Sequence, residues 1–305
     1  MDLCIIGQER NESNLKLLEE AKKKFTSVFF VPVDGIGIGL SNDFSISYRS
    51  TDILKFGAIL PIIPKQYFSY AYQLLSLFHS NTFMPIKPIS FLLADERFFL
   101  LTVLRKRHIP TTNLYSARST KAAHRLIEES KFPIIIRSLQ KKPGIIVNNS
   151  AEAKNIIETL NILGQPVSIE EPIKNMISVY VAEPDVIAAV KKKTKEKDII
   201  FSKGILKKHN PNIEEKHLAI EAARAVDAHI ARVDISTNGE PKVVDINLNF
   251  DMIKPSEVTG INIPERIVNS VYENYKNHKD NPMLFKFFDD AKSVMKDALK
   301  AKQLL

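Results

Sequence analysis

The sequence predicts an α/β protein built of more than one domain, and three observations predict it. Short apolar strands alternate with helical patterns along most of the chain, which favours parallel or mixed sheets covered by helices. At 305 residues and 44% apolar content the chain can bury a large core but exceeds the usual size of a single one. Turn signals such as Pro143-Gly144 and Asn238-Gly239 separate the strands, and neither a repeat nor a low-complexity segment interrupts their order.

Residues 1–87 read as a small α/β unit: strand 3–6, helix 11–24, strands 27–31, 44–48 and 58–63, and helix 67–80. The run Gly35-Ile36-Gly37-Ile38-Gly39-Leu40 follows a strand, as a dinucleotide-binding loop does. Its sixth position is Leu, however, and residues 45–48 look extended where that fingerprint requires a helix. A second unit, 88–164, opens with a helix over 95–107 whose final Arg105-Lys106-Arg107 complements the helix dipole. Helix 119–129, strand 133–139, a turn carrying Lys141-Lys142-Pro143-Gly144, strand 145–148 and helix 151–163, ended by Gly164, complete it. A third unit, 165–280, starts with strands 167–171, 178–181 and 186–191 and adds helix 213–228, with Leu218, Ala222, Ala225 and Val226 along one face. Residues 281–305 read as an amphipathic helix, Phe285, Phe288, Ala291, Met295 and Leu299 recurring at helical spacing, to dock on the protein or on a partner.

Composition narrows the function classes. No run approaches the roughly 18 to 20 apolar residues of a spanning helix, and 53–63 is broken by Lys55 and Pro61. The start lacks the pattern of a secretory signal and reads as a first strand. Cys4, in that strand, is the only cysteine, so no intrachain disulfide or cysteine zinc cluster forms and a reducing, cytoplasmic setting suits the chain. The net charge of +8 points to acidic partners, whether nucleotides, metabolites or nucleic acid. The densest basic runs, 191–197 and 203–208, lack the interleaved aromatics of a single-strand stacking platform and read as solvated surface, which disfavours nucleic acid. None of the seven histidines forms a metal or nucleophile constellation; His217, on helix 213–228, and His229, at its end, read as structural.

The most informative stretch is 231–249. Arg232, Asp234 and Ser236 share one strand face; beyond Asn238-Gly239, Asp245, Asn247 and Asn249 alternate with Val244, Ile246 and Leu248. A two-residue Asn-Gly hairpin would set Asp234 opposite Val243 and Arg232 opposite Asp245, with Asp234, Asp245 and Asn247 on one face. Oxygen ligands of this kind suit Mg²⁺ bridging nucleotide phosphates, since the small hard cation keeps waters and takes one or two carboxylates. The plainer reading is a solvated polar face with an Arg232 to Asp245 pair.

With these stretches in place the chain resembles the ATP-grasp superfamily, nearest its RimK-like glutamate-ligase branch, over roughly 88–275. The resemblance is carried by PIIIRSL at 133–139, SIEEPI at 168–173, DVIAAVKKK at 185–193, AIEAARAVDAHIARVDI at 219–235, KVVDINLN at 242–249 and TGINIPERI at 259–267. It implies the α+β ATP-grasp fold: an N-terminal α/β domain (1–87), then two subdomains (88–164 and 165–280) enclosing a nucleotide cleft. It places the metal ligands on Asp234, Asp245 and Asn247, with Asp245 where Glu is usual. The nucleotide contacts would fall on Glu170, Glu171 and Ile173 of the hinge strand and on Arg97 and Arg137, arginines where the family has lysines. Arg137 is also the candidate catalytic clamp, and Lys141 or Lys142, in the short 140–144 counterpart of the family's glycine-rich loop, is either a further phosphate contact or a solvated turn lysine. The family's Asp-x-Arg aligns near 176–178, where no such motif stands.

The implied function is an ATP-dependent carboxylate-amine ligase working through an acyl phosphate, with ATP and Mg²⁺ or Mn²⁺ as cofactors and small-molecule or peptide acids and amines as substrates. A homo-oligomer is compatible with it. The missing substrate-binding positions keep open a diverged protein that binds nucleotide without ligation. Nucleic-acid binding through the lysine runs is the third reading.

Overall fold

The computed structural model describes residues 1–8, 11–40, 44–138, 144–195, 199–200 and 204–280. The expected tail helix 281–305, Lys141 and most of its loop, and parts of both lysine runs lie outside the described residues.

The N-terminal unit runs β1 (Asp2–Gly7), α1 (Glu12–Lys24), β2 (Ser27–Pro32), β3 (Gly37–Leu40), β4 (Phe44–Tyr48), β5 (Thr51–Asp52), β6 (Ala58–Ile62) and α2 (Phe68–Ser76). Strands β2, β1 and β6 form a parallel sheet with β1 in the centre, and Leu3, Cys4, Ile5 and Ile6 are all buried, as a strand covered on both faces requires. Burial pushes the Cys4 thiol up to about 12, so it behaves as an inert core residue. Asn11 caps α1, its side chain accepting from the Asn14 backbone N–H at 2.8 Å. The glycine run forms β3, paired antiparallel with β4, so it is a hairpin arm and not a phosphate loop.

The helix expected over 95–107 is α4 (Arg97–Lys106), and a further helix that was not expected, α3 (Pro88–Asp95), precedes it. Glu96 between them is extended (φ −115°, ψ 119°), which makes Arg97 the first residue of a new helix and swings its side chain out of the α3 line. Both helices pack into the main core through Phe91, Leu93, Leu100 and Leu104, so the second core begins later than residue 88.

That second core belongs to β7 (Leu114–Ala117), α5 (Thr120–Glu128), β8 (Ile134–Ser138), β9 (Ile145–Val147), α6 (Ser150–Ile162) and β10 (Val167–Glu170). The sheet order is β7-β10-β8-β9, all antiparallel. Strand β10, grouped by the sequence with the strands after it, instead closes this sheet. Its four residues are all buried, and pairing on both sides satisfies a backbone that would otherwise be stranded in the interior.

The remaining elements are β11 (Met176–Ala182), β12 (Asp185–Lys193), β13 (Ile205–Lys208), α7 (Ile213–Ala225), β14 (Ile230–Ser236), β15 (Lys242–Asn247), α8 (Ile253–Thr259) and α9 (Ile263–Asp280). They form an antiparallel sheet in the order β13-β12-β11-β14-β15, with α7 packed through Leu218, Ala219 and Ala222. Helix α9 lies against α1, which merges this sheet and the N-terminal unit into one core. Of the two histidines read as structural, His217 is exposed on α7, and His229 lies beyond the helix end. Among the described residues no helix is long and apolar enough to cross a membrane.

Glu183, in the β11–β12 turn, joins three elements: its carboxylate accepts from Arg224 and His229, and its carbonyl accepts from Ser270 (2.7 Å) and Asn274 (3.0 Å) of α9. Burial pushes its pKa up, but the His229 and Arg224 hydrogen bonds outweigh burial and hold it at about 2. A depressed carboxylate contributes stability that is complete above the unfolded-state value of about 4.3 and is lost as pH falls through the folded one. The melting-temperature deficit of Glu183→Gln is therefore expected to be larger at pH 6 than at pH 3; a deficit that stays constant over this range would contradict the assignment.

Candidate active site

The site lies between the two sheets, and Arg97 spans them. From the start of α4 its Nε donates to the Val244 carbonyl of β15 (2.8 Å) and its Nη1 to Glu170 Oε2 of β10 (2.6 Å). Arg137 of β8 donates from Nε to the other oxygen, Glu170 Oε1, at 2.8 Å. Glu170 and Arg137 are only 3% and 4% exposed, so one buried carboxylate holds two arginines. Gly144 lies close over Arg137: a Cβ there would sit 2.7 Å from Arg137 Cγ and 2.4 Å from Ile135, so only glycine lets the chain return along this path.

The sequence placed Asp234 opposite Val243. The structure places it opposite Asp245, and Arg232 opposite Asn247. Two departures from a simple hairpin cause this. Residues 237–241 form a five-residue connection, and the register slips between Asp234 and Ile235. The slip leaves Val244 as an extra, unpaired residue, a β-bulge. Val244 therefore does not alternate with Ile246 into the main core; it packs with Ile173, Met176 and Ile199 in a small apolar cluster, and its carbonyl is left for Arg97.

Two rows of side chains result on one sheet face. Ser178, Asp234 and Asp245 lie abreast on β11, β14 and β15, and Tyr180, Arg232 and Asn247 form the next row. The three residues expected to hold metal are thus brought together, but not equivalently. Asp234 accepts from Ser178 Oγ (2.6 Å) and Arg232 Nε (3.1 Å) on one oxygen, and from Arg232 Nη2 (2.9 Å) and Asn247 Nδ2 (3.1 Å) on the other. Asp245 Oδ1 accepts only from the neighbouring Ile246 N–H (3.0 Å), leaving Oδ2 without a hydrogen bond among the described residues. Burial, the largest cause, pushes the Asp245 carboxyl above the ordinary aspartate value; Arg97 pulls it down and the facing Asp234 pushes it up.

The other expected contacts divide. Ile173 is buried in the apolar cluster with Val244, whereas Glu171 is exposed and accepts from Asn113 (3.3 Å). Glu170 turns inward to the arginines. Arg232 on Asp234 was not foreseen: the sequence showed both on one face but paired Arg232 with Asp245.

The residues present can be tested against a magnesium nucleotide. Arg97 Nη2 is buried with no hydrogen-bond partner, a donor that an anionic oxygen would satisfy. Asp245 Oδ2 and Asn247 Oδ1 are open hard-oxygen acceptors on adjacent positions of one face, the donor chemistry that Mg²⁺ takes. The cleft therefore fits both nucleotide and cation.

Comparisons with known proteins agree. The model of the RimK-like ATP-grasp domain matches residues 94–271, more than half of the chain. A "Probable alpha-L-glutamate ligase" of Marinobacter nauticus is 23% identical over 293 residues, covering 90% of this chain and 97% of that protein. A ribosomal protein bS6–L-glutamate ligase of Escherichia coli is 23% identical over 239 residues, covering 73% and 79%. Among solved structures, the ATP-grasp ligase PsnB complexed with minimal precursor superposes with a TM-score of 0.71 at 15% identity, over 88% of this chain and 97% of that one. The RimK domain protein of Sphaerobacter thermophilus gives 0.66 at 16% identity, over 88% and 99%. The chain belongs to the RimK-like ATP-grasp family.

Removing Glu170 should expose how much the cleft depends on it. Glu170→Ala leaves two arginines without their shared carboxylate, and breaking a buried ion pair from one side costs about 3–5 kcal/mol. Urea unfolding is expected to show a loss of that order; a loss within experimental error would mean that Glu170 is not the anchor of the arginine pair.

Proposed function

We propose that the protein is an ATP-dependent carboxylate-amine ligase, phosphorylating a carboxylate and letting an amine displace phosphate from the acyl phosphate to form an amide. The observation that carries this is Arg97: one guanidinium joins both sheets, keeps a buried, unpartnered Nη2, and lies near enough to Asp245 to pull its carboxyl down.

Arg97 holds a nucleotide phosphate through Nη2, and Arg137, fixed by Glu170, adds positive potential where charge builds up on the transferring phosphoryl group. Lys141 is assigned a phosphate contact from the family alignment. Ile173, in the buried cluster with Met176, Ile199 and Val244, is assigned to the adenine ring, which the cluster would have to open to receive, and the exposed Glu171 to the ribose. Asp245 and Asn247 hold the divalent cation, Mg²⁺ or Mn²⁺, which when bound neutralises phosphate charge and orients the transferred group. Catalysis by this chain is then mostly positioning and electrostatics. The acids and amines are small molecules or peptides, in keeping with relatives named as glutamate ligases. The single buried cysteine suits a cytoplasmic setting. A protein that binds nucleotide without ligation is the second reading, favoured by the arginine on Asp234.

Arg97→Ala is expected to weaken Mg-ATP binding tenfold or more, about 1.4 kcal/mol, in a thermal-shift titration, and Asp245→Ala to do the same. Unchanged affinity in both would sink the assignment of the cleft. ADP release by the parent on addition of glutamate and an acceptor carboxylate separates the ligase from the binding protein.

A further inference from the structure

A carboxylate offers about four lone-pair positions, and in Asp234 all four are taken. Ser178, Asn247 and the two nitrogens of the Arg232 fork fill them at 2.6 to 3.1 Å. The fork is favoured in place: Arg232 and Asp234 are two residues apart on β14 and so share a face, and both are drawn away from solvent, with side chains 27% and 7% exposed. Asn247 uses its Nδ2 on Asp234, and since a carboxylate only accepts, the amide orientation follows from the contact; its Oδ1 is thereby turned elsewhere. Open lone pairs remain on Asp245 Oδ2 and Asn247 Oδ1, and none on Asp234.

A divalent cation on Asp234 would have to displace one of these donors, because the lone-pair positions of the carboxylate are already filled, two of them by the guanidinium fork. It would also leave a half-buried Arg232, whose cross-strand neighbours Tyr180 and Asn247 are uncharged, with only the more distant Asp245 as a negative charge. We propose that Arg232 is a built-in cation that takes the place of a metal ion at Asp234, so that the site loads a single divalent cation, held by Asp245 and Asn247. This rests on the reading of the cleft as a metal-nucleotide site. Asp234 is then a positioning residue, orienting Asn247 and fixing Arg232.

The test is equilibrium dialysis and electron paramagnetic resonance of Mn²⁺, in excess, with a saturating non-hydrolysable ATP analogue. The parent is expected to retain one Mn²⁺ per chain. Arg232→Gln, which frees Asp234, is expected to retain two, and the double variant Arg232→Gln with Asp234→Asn to return to one. Far-ultraviolet circular dichroism confirms that each variant is folded, and the neutral double variant keeps the test valid if a single one is not. Two Mn²⁺ in the parent, or no gain on Arg232→Gln, overturns the proposal. A parent that binds the analogue but no Mn²⁺ overturns this inference alone, whereas a parent that binds neither overturns the ligase reading with it.

Discussion

The cleft depends on one buried carboxylate shared between two arginines. Glu170 sits in a strand with no solvent on either face, where an isolated ion would be untenable, and two arginines where one would neutralise it leave a net positive charge. Around Glu170 itself the charge is locally positive, which would favour an anionic ligand beside it. The same contacts are mechanical. Arg97 belongs to a helix of the main core, Glu170 and Arg137 to the second sheet, and Val244 to the third, so the pairing fixes how the two sheets face each other.

The bulge at Val244 is the second constraint and is coupled to the first. In an unbulged ladder the Val244 carbonyl would pair with β14, and Arg97 Nε would need another acceptor. The extra residue turns that carbonyl toward Arg97 and the Val244 side chain into the cluster of Ile173 and Met176. It also draws Asp245 level with Asp234. A backbone irregularity of one residue thus supplies a hydrogen bond, a wall of the apolar cluster and the alignment of two carboxylates.

These two features mark where the sequence stops being legible. Alternation along 231–249 was enough to put Asp234, Asp245 and Asn247 on one face, because strand periodicity is local. Cross-strand register is not local: the Asn238-Gly239 signal suggested a two-residue turn, while the loop spans 237–241, with Asn238 tied to the Asn175 backbone N–H at 3.0 Å. Glu170 was visible as an acid in a strand, but its role came from two arginines 73 and 33 residues away, a pairing that no local pattern encodes. Helix α3 (Pro88–Asp95) went unread because eight residues are too few to show a clear period. Gly144 was legible as a turn residue, but the close approach to Arg137 and Ile135 that requires a glycine there is a tertiary contact.

Charge balance connects the arginines to the ligand. Across the cleft three guanidinium groups, Arg97, Arg137 and Arg232, face three acids, Glu170, Asp234 and Asp245. Their formal charges cancel, but their pairing does not: Asp234 is saturated by Arg232, Glu170 is shared by two arginines, and Asp245 is left without a partner of its own. A cleft of this kind is short of a cation at Asp245 and short of an anion at Arg97. A nucleoside triphosphate carrying one divalent ion is still anionic, so on the proposed reading it would supply the two missing charges together, each to the residue that lacks one. A second metal ion would find no such deficit, since the arginine on Asp234 has already met it.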